Sequence, residues 1–252
     1  MTRGILNIAC GLLLGVLVSA PVAAAELSPK QILDRVDDLY RGNSSHGKLT
    51  MTVKTEHWKR EMQAEFWSLG KEKSLIRILS PKKEKGTATL KNGNKIWNYL
   101  PKVKRTIKVP SSMMGGSWMG SHFTNDDLVK ESRMADDFDF KIGFEGEREG
   151  KKIIELVCIP KEDAAVVWGK VTVEVEAGSY LPLKQLYFDE DMNLARTMVF
   201  TDPKKLDDRN LPSVMRVVPA DKPEEFTEVR YEDMKFDLDL PDRQFSLRAL
   251  ER

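Results

Sequence analysis

Apolar and polar residues follow two different rhythms along this chain. Near the N-terminus Ile32, Leu33, Val36, Leu39 and Tyr40 recur at helical spacing, which predicts one helix with a single greasy face. Ser28 can cap it, Pro29 suits its first position, Gln31 completes a capping box and Gly42 can stop it. From Gly47 the period becomes two, with Leu49, Met51 and Val53 alternating against Lys48, Thr50, Thr52 and Lys54, the mark of a half-buried strand. Similar runs follow at 61–69, 74–79, 87–91 and 95–100, the last two flanking the tight-turn pair Asn92-Gly93, and then at 138–144, 152–159, 170–176, 183–188, 195–200, 213–218 and 227–236. About a dozen strands joined by short polar turns predict a mainly β fold, one continuous antiparallel meander curling toward a barrel. A second, short helix is expected at 124–131, where Thr124 can cap and Asp126 and Asp127 sit in the first turn.

Residues 110–123 fit neither rhythm. Met113, Met114, Trp118 and Met119 stand on a backbone loosened by Gly115, Gly116 and Gly120, a composition that can repack around apolar ligands of different shape or tuck over the end of a core. Just before this segment Lys102, Lys104, Arg105 and Lys108 surround Val103 and Ile107. That strip can touch phosphate headgroups or an acidic partner, or can be a solvated strand face whose charge discourages edge pairing.

The first residues set the compartment. Arg3, an uncharged apolar run over 5–18 and Ala23-Ala24-Ala25 before Glu26 read as a cleavable export signal over 1–25, leaving one domain over 26–252 outside the cytoplasm. The run is shorter than the roughly 20 residues a spanning helix needs, and no later run is longer, so no stable membrane span is expected. Cys10 lies inside the signal, which leaves Cys158 without a partner for an intramolecular disulfide, and its apolar surroundings favour a small buried hydrophobe. With 40 basic and 39 acidic residues the charge is balanced, and nothing electrostatic points to nucleic acid.

Catalytic chemistry has little support in the sequence. His46, His57 and His122 show no metal-ligand spacing, there is no Gly-x-Ser-x-Gly elbow, and Asp189, Asp191 and Asn193 start a calcium-loop pattern that Leu194 and Phe200 break, so a hairpin turn is the better account. A non-enzymatic protein without metal or cofactor is expected.

The run Asn92-Gly93-Asn94-Lys95-Ile96-Trp97-Asn98-Tyr99-Leu100-Pro101, followed by Lys104-Arg105 and Pro110-Ser111-Ser112-Met113-Met114, resembles the bacterial outer-membrane lipoprotein-sorting family of LolA-like periplasmic carriers. Gly178-Ser179-Tyr180-Leu181-Pro182-Leu183-Lys184, Phe188-Asp189-Glu190-Asp191 and the end Leu240-Pro241-Asp242, Phe245 and Leu250-Glu251-Arg252 are similar to it as well. The resemblance implies a LolA/LolB-like half-open, curved antiparallel barrel whose concave apolar face is covered by helices and a loop. It implies a cavity that takes up acyl chains of lipoproteins or lipids in the periplasm and carries them toward the outer membrane. The Met-Met-Gly-Gly insertion is similar to an extended subgroup, for which the resemblance implies an inner-membrane exporter of the resistance-nodulation-division or ABC type as partner, and a free lipid as a second possible cargo. Phe66, Trp97, Tyr99, Met113, Met114, Trp118, Met119, Phe123, Leu128 and Trp168 are the candidates for the cavity and its mouth, and Lys102, Lys104, Arg105 and Lys108 for docking to a partner or membrane. The alternative role for the same fold is an envelope sensor that binds a lipid or protein signal.

Overall fold

The computed structural model describes residues 27–130, 133–164 and 166–252; the expected leader lies outside them. Six strands, β1 (Ser44–Lys54), β2 (Lys59–Leu69), β3 (Lys73–Ser80), β4 (Ala88–Asn92), β5 (Lys95–Leu100) and β6 (Arg105–Lys108), form one antiparallel meander. Seven more form a second: β7 (Phe138–Arg148), β8 (Lys151–Pro160), β9 (Lys170–Glu176), β10 (Pro182–Phe188), β11 (Leu194–Leu206), β12 (Arg209–Pro219) and β13 (Phe226–Phe236). The first and last strands of the chain sew the two halves into one 13-stranded sheet, pairing from Ser45 with Phe236 to Lys54 with Phe226. The sheet does not close, and its free edges are β6 and β7. The expected meander is therefore interrupted in the middle of the chain, and the open side of the sheet falls between two strands that are consecutive in sequence.

Close approach at the seam explains one glycine. A Cβ on Gly47 would stand 2.1 Å from the Asp233 carbonyl oxygen, beside the bulge where the pairing shifts between Lys48 and Leu49. Only a residue without a side chain permits that approach.

Helix α1 (Pro29–Asp38) forms as its sequence signals dictate. The Ser28 hydroxyl accepts from the Gln31 amide, the Gln31 side chain accepts from the Ser28 amide at 2.9 Å, and Gly42, at φ 58°, donates back to Asp38. Ile32 and Leu33 are fully buried against β8–β12, each contributing about 1.5–3 kcal/mol of hydrophobic stabilisation. The crossing segment, the chain that joins the two free edges between β6 and β7, carries α2 (Asn125–Lys130) and α3 (Met134–Asp137), and Thr124 and Asp127 cap each other's backbone at 2.7 and 3.1 Å. The C-terminal turn Asp242–Phe245 and α4 (Leu247–Leu250) pack on β3 and β4 and, with Leu75, Ala88 and Leu90, form a separate apolar cluster.

Strand β6 takes in Arg105 and Lys108 of the basic strip, in line with its reading as a solvated strand face. Three elements go beyond expectation: α3 precedes β7 where no helix is predicted, and β11 and β12 extend past Pro203 and Pro212, which face each other across the ladder. Shortness and proline mask the periodic signal there.

Candidate functional site

An apolar cavity of about 150 Å³ lies between the concave sheet face and its cover. Its floor comes from inward positions two apart on successive strands: Leu49 and Met51, Val229 and Tyr231, Met215, and Met198 and Phe200. Its roof is Val36 and Tyr40 at α1 together with Trp118, Phe123 and Leu128 of the crossing segment. A second cavity of about 80 Å³ adjoins it, sharing Tyr40, Arg41, Leu49, Ile76, Leu128 and Tyr231 and adding Phe66. Tyr40 of the roof stacks on Tyr231 of the floor at 4.9 Å, and Phe66, from the sheet, meets the same Tyr231 ring edge-on at 5.7 Å. The Tyr40 hydroxyl donates to the Pro212 carbonyl at 2.8 Å, and the buried Trp118 indole donates to Thr89 Oγ1 at 3.0 Å.

One wall of the larger cavity is ionic. Arg196 of β11 shares the inward parity of Met198 and Phe200, and its guanidinium forms a bidentate pair with Asp127 of α2 at 2.8 and 2.6 Å. The rings of Trp168 and Tyr187 lie 4.6 and 4.3 Å from that guanidinium. Burial alone raises the Asp127 pKa, but the hydrogen bonds and charge of Arg196, with the Thr124 cap, outweigh it and hold the carboxylate below its usual range. Burial likewise lowers the Arg196 pKa and the pairing with Asp127 more than restores it. Asp37 of α1, also in the wall, has no such partner among the described residues; burial pushes it up to about 7, against the attraction of Lys71 and a hydrogen bond from the Ala135 amide.

The tip of the crossing segment is fastened by polar contacts. His122 lies 2.9 Å through Nδ1 from Thr227 Oγ1 and 3.1 Å through Nε2 from Glu225, the His122 amide donates to the same Thr227 oxygen, and Arg60 donates to the Met119 carbonyl. Thr227 is fully buried. His122→Ala is expected to cost about 1–2 kcal/mol in hydrogen bonds and to speed amide exchange over residues 118–123 without affecting β8–β10. Unchanged exchange in that stretch would show that the histidine does not hold the tip.

The candidates from sequence separate into groups. Trp118, Phe123 and Leu128 line the larger cavity, and Phe66 the smaller. Met119 is partly buried against the neighbouring core, Met114 is half-buried, Met113 is 60% exposed, and Trp168 packs over Tyr187 and Arg196 behind the wall. Trp97 and Tyr99 are corrected: they lie on the opposite face, in the cluster under the C-terminal turn, because Leu75 and Leu90 pack there while the next residue, Ile76, faces the cavity. Lys102, Lys104, Arg105 and Lys108 are all exposed, but Lys108 stands at the far end of β6 opposite Trp97 and is separated from the other three. Missed altogether were Asp37, Asp127 and Arg196; an arginine in phase with two inward apolar residues was the available signal for the last.

The histidines do not converge: His46 stacks on Trp67 and bonds Glu65, and His57 is exposed on a turn. Cys158 is fully buried, and burial, reinforced by the charge of Asp37, pushes its thiol up to about 12. Asp189 closes a hairpin turn by accepting from the Asn193 amide at 2.8 Å. Among the described residues no group of three or more His, Cys, Asp or Glu could hold a metal ion, and no helix is long and apolar enough to cross a membrane.

The architecture is shared with solved structures. An outer membrane lipoprotein-sorting protein domain from Vibrio parahaemolyticus superposes with a TM-score of 0.77 at 24% identity, covering 88% of this chain and 98% of its own. A DUF1329 family protein from Desulfovibrio piger gives 0.79 at 22% identity over 88% and 97%, and a LolA superfamily protein from Nitrosomonas europaea 0.74 at 20% over 88% and 99%. No curated protein matches the sequence. A family model described as an uncharacterized protein matches residues 70–252. The open 13-stranded sheet thus has the fold of these three structures, and the chain belongs to the uncharacterized-protein family whose model spans residues 70–252.

Proposed function

We propose that this protein is a periplasmic carrier that shelters an acyl chain of a lipid or lipoprotein between its concave sheet and the crossing segment. The observation that carries this reading is an apolar cavity beneath a roof fastened to the sheet by an ion pair and a few hydrogen bonds as well as by packing. A cavity of about 150 Å³ admits a guest the size of benzene. A long acyl chain therefore requires the roof to lift, and each methylene moved out of water returns about 0.8 kcal/mol toward that rearrangement. No bond is made or broken in such a cycle. The lipoprotein-sorting description of the Vibrio parahaemolyticus neighbour supports the carrier reading in general; transfer toward the outer membrane, with an inner-membrane exporter as the source of cargo, is the further part of this proposal.

Native mass spectrometry of the protein purified from a bacterial periplasm without detergent, followed by lipid extraction, tests it. A bound single-chain lipid or acylated peptide is the expected result. A bare mass that also ignores added palmitate and a triacylated lipopeptide would remove the carrier reading and leave the fold as a sensor of some other signal.

A further inference from the structure

The pairing registers place the turns β1–β2, β3–β4 and β5–β6 at one end of the sheet, together with the connections β8–β9, β10–β11 and β12–β13. The charges on that rim are sorted by sign. On the first three turns and the strand residue that follows each, Lys59, Lys82, Lys83, Lys85, Lys102, Lys104 and Arg105 are exposed, with Glu56 as the exposed acid. Among the described residues none of these seven cations has an ion-pair partner, while Glu84 is taken by Arg60 at 2.8 Å. The other three connections carry exposed Glu162, Asp163, Glu190, Asp191, Asp221 and Glu224 against Lys222. A chain with balanced total charge thus presents a rim that is basic on one half and acidic on the other.

The basic half is also apolar in places. Trp58 is 42% exposed, with the Arg60 guanidinium 5.2 Å from its ring, and Val103 is 58% exposed between Lys102 and Lys104. The turns adjoin, since a Cβ on Gly86 would meet Pro101 at 3.6 Å. Lysines around an exposed indole and valine match a lipid–water interface, where ammonium groups reach phosphates and the ring sits at headgroup depth.

We propose that this basic rim docks the protein on an anionic phospholipid surface, with Trp58 and Val103 entering the headgroup layer. The acidic half, repelled by the same surface, fixes the tilt. The Arg60 contact with the Met119 carbonyl and the His122 contact with Glu225 lie at this rim, so docking brings the membrane to the fastened tip of the crossing segment. The inference does not depend on what the cavity carries, because vesicle binding can be read on protein with no bound lipid.

Co-sedimentation with phosphatidylcholine vesicles, with and without phosphatidylglycerol, tests it. Binding only to the anionic vesicles, weakening steeply with salt, is expected. Charge reversal of Lys82, Lys83, Lys85, Lys102 and Lys104 to glutamate should weaken binding more than tenfold, and Trp58→Ala several-fold. Reversal of Lys204 and Lys205, on the β11 arm at the opposite end, should leave it within twofold. Failure of the unaltered protein to bind anionic vesicles at low salt overturns the proposal without help from any variant. So does equal loss in the Lys204 and Lys205 variant, or salt-sensitive self-association without vesicle binding, which would assign the basic rim to the acidic rim of a second copy.

Discussion

Replacing Asp127 with alanine is expected to destabilise the protein by about 3–5 kcal/mol, because it leaves the Arg196 guanidinium buried without its counter-charge. The side chains are 8% and 16% exposed, so water can do little to replace the lost partner. Urea denaturation checks the magnitude, and a loss below about 1 kcal/mol would place the pair in the class of weak surface bridges. Removing both members, as Asp127→Leu with Arg196→Met, should cost much less than either single change, since neither charge is then stranded. The pH dependence has a definite sign. Asp127 is held below its ordinary pKa, so its contribution is present above the unfolded value of about 3.9 and is lost as pH falls through the folded one. The alanine variant should lose that acid-side decline. Asp37 works in the other direction: with its folded pKa raised to about 7, the folded state binds more protons, and stability from this group falls as pH rises from about 4 toward 7.

Filling the cavity should separate ligand uptake from folding. Met198→Trp combined with Met215→Trp places two large rings into the space bounded by the floor and Trp118. Uptake of a fluorescent fatty acid is expected to fall at least tenfold, with an overpacking cost of about 1–3 kcal/mol in stability. Both measurements are needed. Undiminished uptake in a folded variant would show that the acyl chain is housed elsewhere.

The periodic parts of the fold were legible from sequence because they obey one rule at a time. Leu49, Met51 and Val53 declare their strand, and Ser28, Pro29, Gln31 and Gly42 declare α1 and its ends. Two kinds of information were not available. Which face a strand turns to the cavity depends on pairing and on distant cover, and Trp97 and Tyr99 turned the other way because the C-terminal turn, far off in sequence, packs on their side. Charge sorting is equally invisible: lysines of three separate turns are mixed with acids along the chain, and only the antiparallel register gathers them at one rim. The ionic wall was hidden for the same reason, since Asp127 and Arg196 are 69 positions apart and, even with Arg196 in phase with Met198 and Phe200, neither stretch alone names the other as its partner.

The crossing segment is spliced into the chain between β6 and β7, the two free edges of the sheet. Sheet and cover therefore behave as a bow and its string. At fixed chain length, flattening the bow draws the string taut over the cavity, and tightening the bend gives it slack. A change in the separation of the two edges is therefore expected to reach the cavity through the segment that joins them, once its ties to Thr227, Glu225 and Arg196 give way.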